Sequence, residues 1–328
     1  MDITMVLRDI TKQLAYSDTF TNGVQAIAPK LGFKPYIGGT THAEIIETCK
    51  VLQASGQRIA IDYIGNAIID AADVTAEKNN VRLLMQQLHA EGLSAVFTLQ
   101  PEQFGLLLDV DECYNMLYEL AEVARTYEHF ITLQTVEYAH VQTIISMTQQ
   151  LQESFDHIST VVQAHFYRAQ EDVETFRDAA LTLTKKVCNE SEAVAFQDKM
   201  DIDLNMIELI EQRFQTGSYT VIATHDKNII AFAKRRAAEY NLPQTSYEFQ
   251  FHIGQDVALQ ESLVQEGYNV RTYFPAGAHW HTHFTTHVAN RPQNMKYVSD
   301  KVFTKKTNTV LALLASVWLL RKLLKRKK

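Results

Sequence analysis

Cysteine is the first thing this sequence is short of. Cys49, Cys113 and Cys188 are the only three in 328 residues, and they are widely spaced and form no CxxC pair. That excludes a cysteine-held zinc and a disulfide framework, and it fits a reducing compartment. Proline (6) and glycine (12) are also scarce, and 46% of the residues are hydrophobic, so a long disordered or low-complexity linker is not expected. No uncharged apolar run reaches the roughly 18 residues of a membrane-spanning helix. Residues 1 to 30 mix charges throughout and lack the apolar stretch of a signal peptide. Excess positive charge is missing too: the net charge of −7 argues against wholesale nucleic-acid binding, which needs basic surface to neutralise phosphates. There is no GxGxxG and no HExxH.

What the chain has is apolar, β-branched runs that recur with helical stretches between them. They are 58–65 (RIAIDYIG), 94–101, 129–137, 160–167, 179–186, 219–226, 247–254 and 269–277. Intervening segments such as "DECYNMLYELAEVARTY" and "KNIIAFAKRRAAEYN" repeat apolar residues at three and four. Eight strand-then-helix units predict an α/β fold, a (β/α)8 TIM-like barrel. A doubly wound open sheet is the runner-up, but Gly65-Asn66 offers no glycine-rich first turn. The expected organisation is an N-terminal helical segment over 1–57, the barrel over 58–305 and a tail over 306–328.

Basic residues concentrate in that tail. Six of the last eight residues are Lys or Arg, leaving −13 on the rest of the chain (the overall −7 less the tail's +6). Ahead of them, "VLALLASVWLL" reaches only about 16 Å as a helix against a hydrocarbon core of roughly 30 Å. An amphipathic segment resting on an anionic leaflet is the better reading, with a helix docked on a partner as the alternative. The expected location is therefore cytoplasmic, peripherally at the membrane.

In such barrels chemistry sits where strands end. The candidates there are mostly amides, Gln100, Gln103, Gln134, Gln163 and Gln250, joined by Lys185, Cys188, Thr224, His225, Asp226, His252 and Tyr273. Amides suit a flat heterocycle edged by carbonyls and ring nitrogens, but they do not move protons at neutral pH. A histidine-rich stretch follows. His279, His283 and His287 would share one helical stripe, a spacing that can hold zinc, although a row of solvated or pocket-lining imidazoles is the plainer reading.

Several pieces in order, "IDYIGN" (61–66), "TVVQAHFYRA" (160–169), "VIATHD" (221–226), "YEFQ" (247–250), "EGYNV" with "YFPAG" (266–277) and "RPQN" (291–294), resemble the proline dehydrogenase family over roughly 35–305. The resemblance implies a (β/α)8 flavoenzyme that oxidises L-proline to 1-pyrroline-5-carboxylate with FAD and passes electrons to membrane quinone. It implies that Thr135, Gln163, Lys185, Ser191, Glu192, Ala193, Thr224 and His225 belong to the cofactor site, with no metal. The family's flavin-contacting arginine on strand five is Thr182 here.

Substrate-side positions depart from the family. Its strand-two lysine falls on Gln100, its strand-three aspartate on Gln134 and its active-site tyrosine on Cys188. The paired arginines that clamp the carboxylate become Thr286 and His287, and a nearby glutamate becomes Asn290. A zwitterion entering a low-dielectric pocket needs its carboxylate paired. Weak or absent proline turnover is therefore expected, from a flavoprotein that takes another cyclic amino acid or a related amine, or from a catalytically silent flavin-binding or interaction protein. A metal-dependent barrel enzyme remains the remoter alternative.

Overall fold

The computed structural model describes residues 37–65, 70–134, 137–186 and 190–277. Eight parallel strands close into a barrel in sequence order: β1 (Arg58–Tyr63), β2 (Val96–Leu99), β3 (Phe130–Leu133), β4 (Ile158–Gln163), β5 (Leu181–Thr184), β6 (Thr220–Ala223), β7 (Tyr247–His252) and β8 (Asn269–Ala276). Each of the eight expected runs overlaps a strand. The fourth starts two residues earlier than expected and stops at Gln163, because residues 164–167 leave the ladder to form a turn in which Phe166 bridges Ala195. Closure comes from six residue pairs between β1 and β8, from Arg58 opposite Arg271 to Tyr63 opposite Ala276.

A helix, α1 (His42–Ala54), precedes the first strand. After it, α2 (Ala71–Ala90), α3 (Val110–Thr126), α4 (Val141–Gln152), α5 (Ala169–Thr175), α6 (Lys199–Thr216), α7 (Lys227–Glu239) and α8 (Val257–Gln265) follow β1 to β7 in turn. Several begin on an aspartate whose carboxylate accepts backbone N–H groups of the first turn. Asp70, Asp109, Asp198 and Asp226 do this for α2, α3, α6 and α7, and Thr41 with Glu44 forms a reciprocal cap on α1. Gly217 ends α6 at a φ of 72°, a backbone conformation that glycine adopts without steric penalty.

Strand side chains alternate between the helix layer and the barrel interior, and the packing shows which is which. Ile59, Ile61, Phe97, Leu99, Ile131 and Leu133 join the core formed with α1 to α3, while Val162, Leu181, Leu183, Ile222, Phe249, Phe251 and Val270 join the one formed with α5 to α8. The alternate residues therefore face inward: Asp62 on β1, Thr98 and then Gln100 at the end of β2, Thr132 and Gln134 on β3, Ser159 and Gln163 on β4, Thr182 and Thr184 on β5, Gln250 and His252 on β7, Arg271 and Tyr273 on β8. Thr132 Oγ1 lies 2.7 Å from Ser159 Oγ, a direct contact across this polar interior.

Charge is matched at the end where the strands begin. Glu248 is fully buried; it accepts from Arg271 Nε, from Arg58 Nη1 at 3.1 Å and from the Tyr219 hydroxyl at 2.8 Å, and Arg271 Nη1 donates to Ile59 O at 3.2 Å. Burial works against its ionisation, but the two guanidiniums hold it below the usual carboxylate range. Arg213, also fully buried, donates to the carbonyls of Phe176, Arg177, Ala179 and Tyr219, tying the turns before β5 and β6 to α6. Truncating Glu248 to alanine leaves Arg271 buried without its counter-ion. Urea titration is expected to show a loss of about 3–5 kcal/mol, with native secondary structure retained below the transition.

Candidate active-site mouth

At the end of the barrel where the strands finish, inward-facing polar side chains form an arc. Register places Leu99 beside Leu133, so Gln100 and Gln134, each one residue further on, are neighbours, and the Gln134 N–H donates to Leu99 O at 2.9 Å. Gln163, at the end of β4, pairs in register with Thr184 of β5, which pairs with Ala223 of β6. All three glutamines are buried.

Asp62 lies between β8 and β2 in this arc and is fully buried. Its Oδ1 accepts from Gln100 Nε2 at 3.2 Å, and its Oδ2 accepts from the Tyr273 hydroxyl. Burial pushes the carboxyl up to about 6, opposed by these two hydrogen bonds. The His252 and Tyr273 rings meet in a T-shaped contact, with centroids 4.9 Å apart and planes at 83°, and His252 stacks on His225 at 5.6 Å. Asp256 Oδ2 lies 3.3 Å from His225 Nδ1. A connected polar chain therefore crosses five strand ends, from Gln100 through Asp62, Tyr273 and His252 to His225.

Lys185 behaves differently. It falls one residue past Thr184 and turns toward the helix layer, where Asp203 of α6 lies 2.5 Å away and Asp226 lies 3.0 Å away. Lys199 also pairs with Asp203. Burial works against ionisation of Asp226, yet the Lys185 ammonium and the Asn228 N–H hold it below the usual range. Lys185 is thus held in a charge-balanced cluster on the outer rim. Thr224 Oγ1 accepts from the Asp226 N–H at 3.1 Å. Ser191, Glu192 and Ala193 form an exposed turn, in which Ser191 O accepts from Val194 N and Ala195 N, and Glu192 O accepts from the Tyr167 hydroxyl at 2.8 Å.

Of the residues expected at a site, Gln100, Gln134, Gln163, Thr224 and His225 are thus gathered at one end of the barrel, with Lys185 on its rim and 191–193 in a loop beyond β5. Thr135, Cys188, the histidine stripe, Thr286, His287, Asn290 and the tail lie outside the described residues. The sequence reading passed over Asp62. Its signal was there: a lone acid in phase opposite to Ile59, Ile61 and Tyr63, so inward-facing in a strand that is otherwise apolar after Arg58. Among the described residues no group of three or more His, Cys, Asp or Glu could hold a metal ion, and no helix is long and apolar enough to cross a membrane. Cys49 and Cys113 are buried free thiols, pushed up to about 12 by burial.

The donor set on β4 to β6 fits a flavin. Gln163 at the end of β4 and His225 just past β6 offer an amide and an imidazole on either side of β5, where the Thr184 hydroxyl faces inward, a set that suits a ring edged by carbonyls and nitrogens.

Comparison with known proteins gives one answer. Residues 185–283 match the family model described as proline dehydrogenase. Proline dehydrogenase 1 of Bacillus subtilis (strain 168) is 32% identical over 302 residues, covering 92% of this chain and 100% of that protein. Proline dehydrogenase 2 of the same strain is 29% identical over 305 residues, with the same coverage. The enzyme of Deinococcus radiodurans is 28% identical over 270 residues, 80% of this chain and 87% of its own. Among solved structures, proline utilization A from Bdellovibrio bacteriovorus superposes with a TM-score of 0.73 at 15% identity over 82% of this chain, a likeness of fold. The chain spans about a third, 33%, of that protein's length.

Asp62 carries a testable consequence for stability. Its folded value, about 6, is above the usual 3.8, so between those values the native state binds more protons than the unfolded chain. Stability contributed by Asp62 therefore falls as pH rises from about 4 to 6, by roughly 3 kcal/mol in all. The Asp62→Asn variant lacks this titration. Measured by urea unfolding, the variant is expected to gain on the wild type as pH rises through that window; a pH-independent difference would refute the assignment.

Proposed function

Because the chain belongs to the proline dehydrogenase family, whose members are FAD-dependent oxidoreductases of proline catabolism, we propose that it is a FAD-bearing oxidoreductase whose substrate side has diverged, so that L-proline is turned over weakly. The observation that carries this is the inner rim of the mouth. Among the described residues it presents no lysine or arginine; amides, threonines, His225, His252, Tyr273 and the carboxylate of Asp62 line it, and the nearby Lys185 faces outward into its own pair of aspartates.

Gln163, Thr224 and His225 are the described residues that would hold the flavin, with Thr135 and the 191–193 turn as further contacts carried over from the family. Bound FAD supplies two-electron oxidation of a carbon–nitrogen bond. The chain's part is to bind and orient a substrate beside it and to exclude water. For proline the orientation fails on the acid group. Its carboxylate would come close to the carboxylate of Asp62, and the positions matching the family's carboxylate ligands, Gln100, Thr286 and His287, offer an amide, a hydroxyl and an imidazole. His287 would attract an anion only when protonated. The tail fits a surface role in the same reading. Its apolar run and basic end would rest on an anionic leaflet, close to a quinone acceptor.

Colour and bleaching test this. The purified full-length protein is expected to be yellow. Anaerobic mixing with saturating L-proline should reduce the flavin band at least about a hundredfold more slowly than in a Bacillus relative run alongside, the order expected for unpaired burial of one charge. Bleaching at the relative's rate would overturn the claim of divergence, and a colourless preparation would overturn the flavin assignment.

A further inference from the structure

Gln163 is the part of the 160–169 stretch that reaches the mouth, and the residues just after it have a different task. Residues 164–168 leave the barrel as a turn and pair with the connection between β5 and α6. Phe166 forms an antiparallel bridge with Ala195, in which the Tyr167 N–H donates to Val194 O at 3.2 Å and the Phe196 N–H donates to His165 O at 2.8 Å. Beyond that bridge the half-exposed Tyr167 side chain lies across the connection. Its ring meets Phe196 in a T-shaped contact with centroids 4.7 Å apart, and its hydroxyl donates to Glu192 O at 2.8 Å. A carbonyl held by a phenol fixes the plane of its peptide, so the link between Glu192 and Ala193 is set by a side chain from another loop.

Other contacts close the same segment. Gln197 Nε2 donates to Ala195 O at 2.8 Å and to Glu190 O at 3.1 Å. Glu190 Oε1 accepts from the Tyr138 N–H at 2.8 Å, and the Tyr138 ring packs on Phe166 at 5.1 Å. At the base, Lys185 and Asp203 lie 2.5 Å apart and tie the end of β5 to α6. The described part of the connection, 190–198, is therefore pinned by charge at its base and by two neighbouring loops along its length. A connection without such ties must be ordered when a ligand arrives, at a cost in affinity.

We propose that Tyr167 is a positioning residue for the cofactor: through Glu192 O it presets the 191–193 turn against the nucleotide half of FAD, while Gln163 and His225 seat the ring half at the mouth. This rests on the reading that the barrel holds FAD. The division follows from placement. Gln163 is buried at a strand end and His225 stands beside it across β5, whereas Ser191, Glu192 and Ala193 are exposed in a turn beyond that strand. Loss of the strap leaves the ring's surroundings as they were and makes the turn pay its ordering on binding, so it shows as faster release of FAD.

Release of FAD from the full-length holoprotein, followed by the return of flavin fluorescence on dilution, tests this. Tyr167→Phe, which removes only the phenol oxygen, is expected to release FAD about threefold faster or more. Tyr167→Ala, which also takes the ring off Phe196, should release it about tenfold faster. Gln197→Ala should give about threefold as well. In all three the visible band of the bound flavin keeps its position and shape, and trypsin cuts at Lys186 and Lys199 faster than in the wild type, since no variant adds or removes a tryptic site. The band is the deciding readout. A merely structural role for Tyr167, loosening this end of the barrel as a whole, would shift the band as it speeds release.

Release or tryptic cleavage at the wild-type rate in Tyr167→Phe, or faster release with a shifted band, would overturn the proposal and leave the flavin assignment standing. Should a Tyr167 variant fail to fold, Gln197→Ala decides by the same readouts. A colourless wild type would overturn the flavin assignment and this inference together.

Discussion

Closure of the sheet between its last strand and its first is the constraint on which the rest of this molecule depends. Six register pairs join β8 to β1, and the contact is reinforced from inside by Glu248, which draws Arg58 of β1 and Arg271 of β8 onto one carboxylate. A parallel barrel has no free edge to slip along, so once this seam is set the inward or outward sense of each strand residue is set with it. That phase decides which polar groups meet in the interior. It places Glu248 near the beginning of its strand, where two arginines balance it, and Asp62 near the end of its own, where an amide and a phenol donate to it.

The two ends of the barrel therefore solve the problem of buried charge in opposite ways. At the strand beginnings an acid is paired with guanidiniums and held ionised, at the cost of desolvating all of them. At the strand ends an acid is buried with neutral donors, and its proton affinity rises to about 6. The first arrangement is what a structural plug requires. The second is costly to keep for stability alone, because the charged form is desolvated without a counter-charge among the groups seen to donate to it. Lys185 shows the separation from the other side: a cation close to the mouth in sequence is drawn outward by Asp203 and Asp226 and adds no charge to the interior.

Much of this was legible before any coordinates. β-branched runs separated by amphipathic helices fixed the strand count, because that periodicity is written in every unit. The amides at the ends of β2, β3 and β4 could be named from the same runs. Sequence reading fell short in the phase of single residues. Lys185 looks like a mouth residue by position, yet it lies one step past Thr184 and so falls on the helix side, a distinction that needs the strand boundary to the residue. Glu248, an acid inside a strand, lies near the beginning of β7 and so at the end opposite the mouth, which register shows and composition does not. Asp62 was hidden inside "IDYIG", where its partners come from segments 38 and 211 residues away along the chain. No local pattern encodes such a meeting.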